Sequence, residues 1–512
     1  MIKSITKNPL YPIANPKSIA FFGASNNLMV MGSFILDSLL DFGYDGAVYP
    51  VHLKEPVVQN LKAYRSVADL PEIPDLAVIV VPTKVASQIL EECGRKGIRH
   101  AVMVTAGFNE VGGEGVRMGR ELVEIANRYG IRFLGPNCIG VTNPYIRLNS
   151  TALKFEGRPG FIGMASQSGS FVTQMFNYLR RYGLGFSTAF SVGNEANVDI
   201  VDCMEYFAAC PHTRVITLYI EGIRRGEAFV KTARAIVPHK PIVAFYVGGT
   251  ETGRRAGLSH TGAMAGPDPI YDGIFQQSGV IRASSIIEMF DFCWTLGALP
   301  EAAGTNVAVQ THSGGPGAIA ADACGRAGLD LPLFSAETLT GLKEYIPHTG
   351  SIGNPVDITF SKDPQSFWYN IPNLLLQDRN VDILMMYFLE AIEMMERHMT
   401  RFMGWSPEKA REEGLRIIGA QADAIASLMK HHGKPIVGYT FRSLEEPFIQ
   451  ELYRRGIPVF PGPERAVRAL EAMIRYKAIR AEMLSGDERE ENGDSSSQVA
   501  TGRYGRQVSV NL

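Results

Sequence analysis

The sequence predicts an α/β protein made of three successive doubly wound parallel sheets. Short apolar runs recur along the chain, stretches with helical spacing separate them, and a glycine-rich turn follows the first apolar run of each cycle. Such runs are typical of strands buried on both faces of a parallel sheet, and their alternation with helices is typical of a doubly wound fold. The length of 512 residues agrees with this prediction, because domains average roughly 150 residues.

The first domain is predicted to span residues 1–145. Its strands are expected at the apolar runs 19–22, 47–51, 76–81, 101–104 and 131–134. The clearest helix is expected at 115–129, where Val116, Leu122, Ile125 and Ala126 recur near helical spacing. Strand and helix therefore alternate through one complete sheet.

Two further domains are predicted at residues 146–300 and 301–484. The strands of the second are expected at 161–165, 187–192, 215–220, 242–247 and 280–282. Those of the third are expected at 307–310, 381–388, 436–439 and 457–460, followed by a helix at 463–484. Residues 485–512 contain few large apolar side chains and many Gly, Asp, Glu, Ser and Asn, a composition that predicts a disordered tail.

Charge and composition exclude several classes of protein. The 50 Lys and Arg residues against 52 Asp and Glu give a net charge of −2, so no basic excess is available to bind a nucleic acid. No apolar run reaches the ~20 residues of a membrane helix and no secretory signal is present, so we expect a cytoplasmic protein without a membrane partner. The six cysteines form no C-x-x-C pair, which predicts reduced thiols and no metal site.

Three turns between strand and helix are candidate anion sites, because a helix N-terminus carries unpaired N–H groups and roughly half a positive charge. The first, Gly23-Ala24-Ser25-Asn26, lacks the G-x-G-x-x-G fingerprint, and an ordinary tight turn is an equally good interpretation. In the second, Ser166-Gln167-Ser168-Gly169, helix capping is the commoner alternative to phosphate binding. The three glycines of the third, His312 to Gly317, favour close approach of the backbone to a ligand.

Single residues suggest catalytic chemistry. His260 lies between Ser259 and Thr261 in a segment rich in Gly and Ala, which suits contact with phosphate, although a structural or exposed histidine is the alternative. Glu221 ends a predicted strand, where it could orient an imidazole or simply be solvated. Cys138 also ends a strand, but no activating motif lies nearby, so we interpret it as packing against a ligand.

The motifs along residues 10 to 480 form an ordered set. They are Gly23-Ala24-Ser25-Asn26, Tyr49-Pro50-Val51, Val80-Val81-Pro82, Thr105-Ala106-Gly107-Phe108, Gly135-Pro136-Asn137-Cys138, Ser166-Gln167-Ser168-Gly169, Gly193-Asn194, Tyr219-Ile220-Glu221-Gly222, Ser259-His260-Thr261-Gly262, Gly314-Gly315-Pro316-Gly317 and Gly353-Asn354-Pro355-Val356-Asp357. This set resembles the NDP-forming acyl-CoA synthetases, specifically the α subunit or α half of ADP-forming acetate–CoA ligases, which are relatives of succinyl-CoA synthetase.

The resemblance implies a Rossmann-like CoA-binding domain followed by two flavodoxin-like ligase domains. It also implies site residues. His260 would be phosphorylated and Glu221 would stabilise it. The implied CoA site consists of Gly23, Ala24, Ser25, Asn26, Lys54, Val81, Pro82, Thr105, Ala106, Gly107, Asn137 and Cys138. The implied phosphate-binding residues are Ser166, Gln167, Ser168, Gly169, Gly314, Gly315 and Gly317.

The implied reaction interconverts acyl-CoA, ADP and phosphate with a carboxylic acid, CoA and ATP, through an acyl phosphate and phosphorylated His260. CoA is then a substrate, and ATP or ADP with Mg binds an ATP-grasp β subunit, because three predicted domains account for residues 1–484. We therefore expect a hetero-oligomer that acts on a small carboxylic acid or its acyl-CoA. The alternative is a regulatory protein that binds CoA or acyl-CoA without turnover.

Two segments depart from the pattern of these relatives. Val51-His52-Leu53-Lys54 replaces an Asn-Pro-Lys run, and Asn27-Leu28-Met29-Val30 replaces a turn that contains Arg and Pro. Both departures fall in the implied CoA site. The CoA contacts are therefore less firmly predicted than the phosphorylated histidine.

Overall fold

The computed structural model describes residues 4–255, 266–359, 363 and 365–491. Its first sheet contains β1 (Ser18–Phe22), β2 (Ala47–Val51), β5 (Leu76–Ile79), β6 (His100–Met103) and β7 (Arg132–Leu134), in the order β2-β1-β5-β6-β7. All neighbouring strands are parallel. The five strands predicted for this domain are confirmed. A short hairpin follows β2 and contains β3 (Val57–Val58) and β4 (Leu61–Lys62).

The second sheet contains the five predicted parallel strands and two further strands at its edge. The parallel strands are β10 (Ile162–Ser166), β11 (Phe186–Ser191), β12 (Val215–Ile220), β13 (Ile242–Tyr246) and β14 (Ile281–Ala283). The edge strands are β8 (Val141–Asn143), which is antiparallel to β11, and β9 (Leu148–Asn149). The chain therefore joins the second sheet before residue 146, where the sequence places the boundary. The order is β14-β13-β12-β10-β11-β8-β9.

The third sheet is again parallel throughout. It contains β15 (Val307–Thr311), β16 (Val356–Asp357), β17 (Ile383–Tyr387), β18 (Ile436–Thr440) and β19 (Val459–Pro461), in the order β16-β15-β17-β18-β19. The strands predicted at 307–310, 381–388, 436–439 and 457–460 are confirmed. The two-residue strand β16 was not predicted.

One strand order recurs in all three sheets. When the parallel strands of each sheet are counted in chain order, they are arranged 2-1-3-4-5. The second strand of each set lies on one side of the first strand and the third strand lies on the other, so the strand order reverses there, and ligands of open α/β sheets bind outside the carboxyl ends of the strands at this switch point. Each glycine turn identified in the sequence follows the first parallel strand of its sheet, so each lies at a switch point.

Amphipathic helices cover the sheets. The helix predicted at 115–129 extends over Gly113–Tyr129, buries Leu122, Ile125 and Ala126, and ends where Gly130 adopts a left-handed conformation with φ +65°. Within the described residues, the other helices with eight or more residues are Met31–Asp41, Thr83–Lys96, Gly169–Arg181, Ile200–Ala209, Gly226–Ile236, Asp268–Ser278, Ile286–Ala298, Gly314–Arg326, Ala336–Tyr345, Ile392–Met403, Pro407–His432, Pro447–Arg454 and Pro463–Glu491.

The last helix joins the second and third domains. Pro463–Glu491 packs against Ile286–Ala298, and Arg465 makes an ion pair of 2.8 Å with the buried carboxylate of Asp291. The helix runs past residue 484, so the first residues predicted to be disordered are helical; the rest of that segment, 492–512, lies outside the described residues. In the part of the chain that the structure describes, no helix is both long and apolar enough to cross a membrane.

Candidate active site

The carboxyl edge of the first sheet gathers the residues predicted to contact CoA. The Thr105 hydroxyl donates to the Val81 carbonyl at 2.8 Å and accepts the Val81 N–H at 3.2 Å. The Thr105 carbonyl accepts the Asn137 N–H at 2.9 Å. The loops after β5, β6 and β7 are therefore joined through one threonine, and Thr83 adds a hydrogen bond from its hydroxyl to the Ala106 carbonyl at 2.7 Å.

The turn after β1 completes this edge. Gly23 has φ +91°, and a Cβ atom there would lie 1.8 Å from the Val80 carbonyl oxygen, so only glycine fits. The Ser25 N–H donates to the Ser33 hydroxyl at 3.0 Å, and the Asn26 amide donates to Glu55 at 2.7 Å. These contacts fix the shape of the turn with polar groups of the protein itself.

Two predicted CoA contacts have distinct surroundings. Lys54 is exposed, and its backbone N–H donates to His52 Nδ1 at 3.3 Å. This hydrogen bond closes a turn in residues 51–54, the segment that departs from the pattern of the relatives. The Cys138 thiol is buried and donates to the Met103 carbonyl at 3.3 Å. Burial raises the pKa of Cys138 to about 12, so the thiol is protonated at neutral pH and is a poor nucleophile.

Gln167 is the centre of the polar contacts after β10. Its side-chain carbonyl accepts the Glu221 N–H at 2.5 Å and the Gly222 N–H at 3.0 Å. Its amide group donates to Glu195 Oε2 and to the Gly222 carbonyl, each at 2.7 Å. The Gln167 N–H donates to the Tyr219 carbonyl at 3.2 Å. The structure therefore brings Gln167 and the backbone of Glu221 together, two residues that the sequence predicts in the same site.

Glu195 is a residue of this site that the sequence analysis missed. Its side chain is 2% exposed, and its Oε1 accepts the Ile200 N–H at 2.9 Å. Burial raises the pKa of Glu195 to about 7, although hydrogen bonds from Gln167 and Ile200 act in the opposite direction. The adjacent motif Gly193-Asn194 was the signal in the sequence, but it does not reveal that the next side chain is buried.

His260 lies in segment 256–265, outside the described residues, so its predicted role stays a prediction. Residues next to this segment lie near Glu221. The Tyr246 hydroxyl donates to the Gly266 carbonyl at 2.6 Å, and the ring of Tyr246 stacks on Tyr271 at 3.6 Å. The Tyr271 hydroxyl accepts the Ile223 N–H at 3.2 Å, two residues after Glu221. Gly266 is therefore held near the ends of β12 and β13, and Glu221, the predicted partner of His260, follows directly after β12.

Main-chain hydrogen bonds connect the first two sheets at the carboxyl ends of their strands. The N–H groups of Asn194 and Ala196 donate to the carbonyls of Pro136 and Gly135 at 2.9 and 3.1 Å. Gly193 permits this approach, because a Cβ atom there would lie 2.4 Å from the Pro136 carbonyl oxygen. The loop that ends β7 and the loop that ends β11 therefore form one surface.

The second and third glycine turns share a hydroxyl clamp, by which we mean a strand-end hydroxyl bonded to both backbone groups of the residue two positions on. The Ser166 hydroxyl donates to the Ser168 carbonyl at 2.7 Å and accepts the Ser168 N–H at 3.1 Å. Thr311 does the same with Ser313, at 2.8 and 3.2 Å. Neither Ser168 nor Ser313 caps its helix with its side chain. An anion can therefore use the N–H groups of the helices that begin at Gly169 and Gly314.

The third turn has aromatic surroundings. The His312 ring stacks on Phe367 with ring centres 3.7 Å apart, and burial lowers the pKa of His312 to about 4. The Tyr439 hydroxyl donates to the Pro316 carbonyl at 2.9 Å. Gly314 and Gly315 are exposed, so the start of this helix is open to solvent. Among the described residues, no group of three or more His, Cys, Asp or Glu side chains has a geometry suited to a metal ion.

Three family descriptions match successive parts of the chain. "CoA binding domain" matches residues 17–144, "Succinyl-CoA ligase like flavodoxin domain" matches residues 159–296, and "Ligase-CoA domain" matches residues 307–481. Each match contains the parallel strands of one sheet, whereas the edge strands β8 and β9 of the second sheet lie before the second match.

Similar proteins cover most of the chain. The α subunit of ADP-forming acetate–CoA ligase II of Pyrococcus furiosus is 37% identical over 90% of this chain and 96% of that protein. ADP-forming acetate–CoA ligase I of Archaeoglobus fulgidus is 38% identical over 91% of this chain, which spans only 63% of that longer protein. A solved structure of the dinucleotide-forming acetyl-coenzyme A synthetase 1 of Ca. Korarchaeum cryptofilum, in complex with phosphate and ADP, is 32% identical with a TM-score of 0.82, over 94% of this chain and 99% of that one.

Proposed function

The chain belongs to the NDP-forming acyl-CoA synthetases, and from this premise we propose that it is the α subunit of an ADP-forming acyl-CoA synthetase. The enzyme interconverts acyl-CoA, ADP and phosphate with a carboxylic acid, CoA and ATP. The observation that carries the proposal is the repeated hydroxyl clamp, which leaves the first N–H groups of two helices available to a phosphoryl group.

CoA binds at the carboxyl edge of the first sheet in this proposal. The turn at residues 23–26 and the loops after β5, β6 and β7 surround it, because Thr105 and the Ser25 contacts hold these loops together. The exposed ammonium group of Lys54 supplies positive charge for the phosphates of CoA. The match of residues 17–144 to a CoA binding domain supports this assignment.

The first chemical step consumes the thioester. A phosphate oxygen attacks the acyl carbonyl carbon, the C–S bond breaks, and the departing CoA thiolate takes up the proton that hydrogen phosphate releases, which leaves acyl phosphate. The surface shared by the loops after β7 and β11 brings the CoA edge against the phosphate turn at Ser166–Gly169. The N–H groups at Gly169 stabilise the charge that develops on the phosphoryl oxygens.

The second step transfers the phosphoryl group to His260. An imidazole nitrogen forms the N–P bond, the bond from phosphorus to the acyl oxygen breaks, and the carboxylate leaves. Glu221 accepts a hydrogen bond from the other ring nitrogen and stabilises the phosphorylated ring. The Gln167 contacts with the backbone of Glu221 and Gly222 support this role, because they fix the strand end that carries the carboxylate.

Phosphorylated His260 then passes the group to ADP on an ATP-grasp β subunit, which also binds Mg. Two comparisons support a separate subunit. The chain spans nearly all of a relative named as an α subunit but 63% of a longer relative with the same activity in its name. The solved relative binds phosphate and ADP. We therefore propose a hetero-oligomer whose substrate is a small carboxylic acid or its acyl-CoA.

The direct test is phosphorylation of the purified chain. Acetyl-CoA with ³²P-labelled phosphate should label the wild-type protein in an acid-labile, alkali-stable form, which is the signature of phosphohistidine. His260→Ala should remove the label. His239→Ala is a matched control, because His239 is an exposed histidine of the same domain. Label that persists in His260→Ala, or CoA binding without labelling even with the β subunit added, would contradict the proposal.

A further inference from the structure

The turn after β11 presents two adjacent polar side chains to two different parts of the site. Gly193 and Glu195 both have left-handed backbones, with φ +54° and +50°. This conformation is unfavourable for a glutamate and persists where surrounding contacts impose it. Here those contacts are the main-chain bonds to the loop after β7 and the bonds to the Glu195 carboxylate.

The Asn194 side chain contacts the loops after β6 and β7, which belong to the proposed CoA site. Its amide donates to Glu110 Oε2 at 2.5 Å, and its carbonyl accepts the Asn137 amide at 3.3 Å. The other oxygen of Glu110 accepts the Gly107 N–H at 2.5 Å. Burial acts to raise the pKa of Glu110, but hydrogen bonds from Gly107, its own backbone and Asn194 outweigh it and lower the pKa below its usual value. Glu110 is therefore ionised at neutral pH and fixes the loop after β6.

The Glu195 side chain contacts Gln167, in the proposed phosphate turn after β10. Each of its two oxygens accepts one hydrogen bond, from the Gln167 amide and from the Ile200 N–H. Gln167 can then present only its carbonyl to the N–H groups of Glu221 and Gly222. Glu195 and the Gly222 carbonyl thus both bind the Gln167 amide group, and together they turn the Gln167 carbonyl toward the N–H groups of Glu221 and Gly222.

We propose that Glu195 is a positioning residue whose ionised carboxylate orients Gln167 and thereby holds the backbone of Glu221 and Gly222 for phosphoryl transfer. Asn194 in the same turn holds the CoA loops, so a single turn aligns the thioester site with the phosphoryl site. This inference rests on the proposed function and extends it to a residue for which no role had been predicted.

The geometry makes the arrangement sensitive to pH. Burial raises the pKa of Glu195 to about 7, and of the charged neighbours Asp199 raises it further while Arg224 lowers it. Arg225 is itself paired with Asp199 and Asp202. As pH falls through about 7, Glu195 takes up a proton. The protonated oxygen is then a hydrogen-bond donor, and it faces another donor, either the Gln167 amide or the Ile200 N–H. The hold on Gln167 then weakens, so the rate of phosphorylation falls toward acid pH.

Glu195→Gln tests this role, because the variant has nearly the same shape and is neutral at every pH. The ratio of wild-type to Glu195→Gln labelling rates should approach one at pH 6 and reach about tenfold at pH 8, the effect of losing a charge-assisted hydrogen bond. The ratio removes every pH effect that is common to both proteins, such as the ionisation of free phosphate. The apparent KM for acyl-CoA should stay the same.

Glu110→Gln is the matched control on the CoA side. Since Glu110 is ionised throughout this range, its loss should raise the KM for acyl-CoA by a factor that does not change between pH 6 and pH 8. A constant ratio for Glu195→Gln, or a pH-dependent one for Glu110→Gln, would overturn the assignment.

Hydrogen exchange gives a second readout that needs neither a variant nor activity. The protection factors of the Glu221 and Gly222 amides in the wild-type protein, corrected for intrinsic exchange, should fall about two- to tenfold between pH 8 and pH 6 as the hydrogen bonds weaken. Equal protection at both pH values would overturn the inference. If labelling of His260 fails while protection changes as expected, the proposed function is wrong and the Glu195 contact stands.

Discussion

The second and third glycine turns contain the same hydroxyl clamp but differ in what surrounds it. At the second turn Ser166, Gln167 and Ser168 are buried, and Gln167 makes hydrogen bonds with Glu195 and the backbone of Glu221 and Gly222. At the third turn Gly314 and Gly315 are exposed, and the neighbouring His312 lies against an aromatic ring.

The comparison of the two turns shows that an anion site has two separate requirements, the clamp and its surroundings. The clamp sets the direction of the helix N–H groups, and it is the same in both domains because strand-end hydroxyls precede both turns. The surroundings decide whether the site also fixes a catalytic side chain. We infer that the second turn orients Glu221, whereas the third supplies N–H donors at an open surface.

Gln167→Leu should produce the largest change. The variant leaves the Glu195 carboxylate without one donor and two backbone N–H groups without their acceptor. Unsatisfied buried groups cost about 1–3 kcal/mol each, and partial access of water reduces the total, so we expect a loss of about 2–3 kcal/mol in the free energy of unfolding. Chemical denaturation measures this loss. Labelling of His260 should fall at least about tenfold.

Gln310→Leu is a control that removes a buried glutamine of the third domain, in β15 and one residue before the clamp residue Thr311. Gln310 is also buried, but its amide makes one hydrogen bond, to the Phe367 carbonyl at 2.8 Å, and its carbonyl accepts none within the described ranges. We expect a free energy of unfolding within about 1 kcal/mol of wild type, because an unsatisfied oxygen is removed together with one bond. Equal losses for the two variants would show that the polar contacts at the second turn have no special importance.

Gly314→Pro probes the third turn without disturbing its helix. Gly314 is the first helical residue, where proline is well tolerated, and the preceding Ser313 is extended, with φ −162° and ψ 152°. The change removes one N–H donor. Labelling should therefore fall about 10- to 100-fold, the effect of one charge-assisted hydrogen bond, while the free energy of unfolding changes by less than about 1 kcal/mol.

Gly315→Ala is the control for this substitution. No atom lies within 4 Å of the position that a Cβ would occupy at Gly315, so alanine fits and keeps the N–H group. Because the N–H donor is kept, its labelling rate should fall less than that of Gly314→Pro. Equal rates for Gly314→Pro and wild type would mean that the third turn binds no phosphoryl group during the reaction.

The strands were predictable because their information is local. Each long parallel strand is a continuous apolar run, and the observed ends differ from the predicted ones by only a few residues. The strands β8, β9 and β16 were missed because they are two or three residues long and contain polar side chains such as Thr142, Asn143 and Asp357. Pairing with a neighbouring strand, rather than composition, determines such segments.

The site was predictable only where a motif marks a turn. The motifs placed Gly23, Thr105, Asn137 and Gly169 in the turns that follow strands, and the structure has each of them within about three residues after the end of a strand. Glu195 left no comparable signal, because one acid in a polar loop has no periodicity. Its burial results from the contact between the loops after β7 and β11, which are more than 50 residues apart in the sequence.

His312 provides the smallest test of the comparison, because its stack on Phe367 should affect stability rather than orient a catalytic group. Burial lowers the pKa of His312 from 6.5 to about 4, although Asp357 acts to raise it. Below pH 6.5 the unfolded chain therefore binds a proton that the folded protein excludes until about pH 4, and stability falls over this window. At pH 5 the loss from this group should be about 1–2 kcal/mol. His312→Phe keeps an aromatic ring and cannot titrate, so denaturation at pH 7 and pH 5 should show a smaller drop for the variant. If the wild type and His312→Phe lose the same stability between pH 7 and pH 5, His312 accepts a proton in the folded protein over this range. Polar contacts would then govern the third turn, as they govern the second.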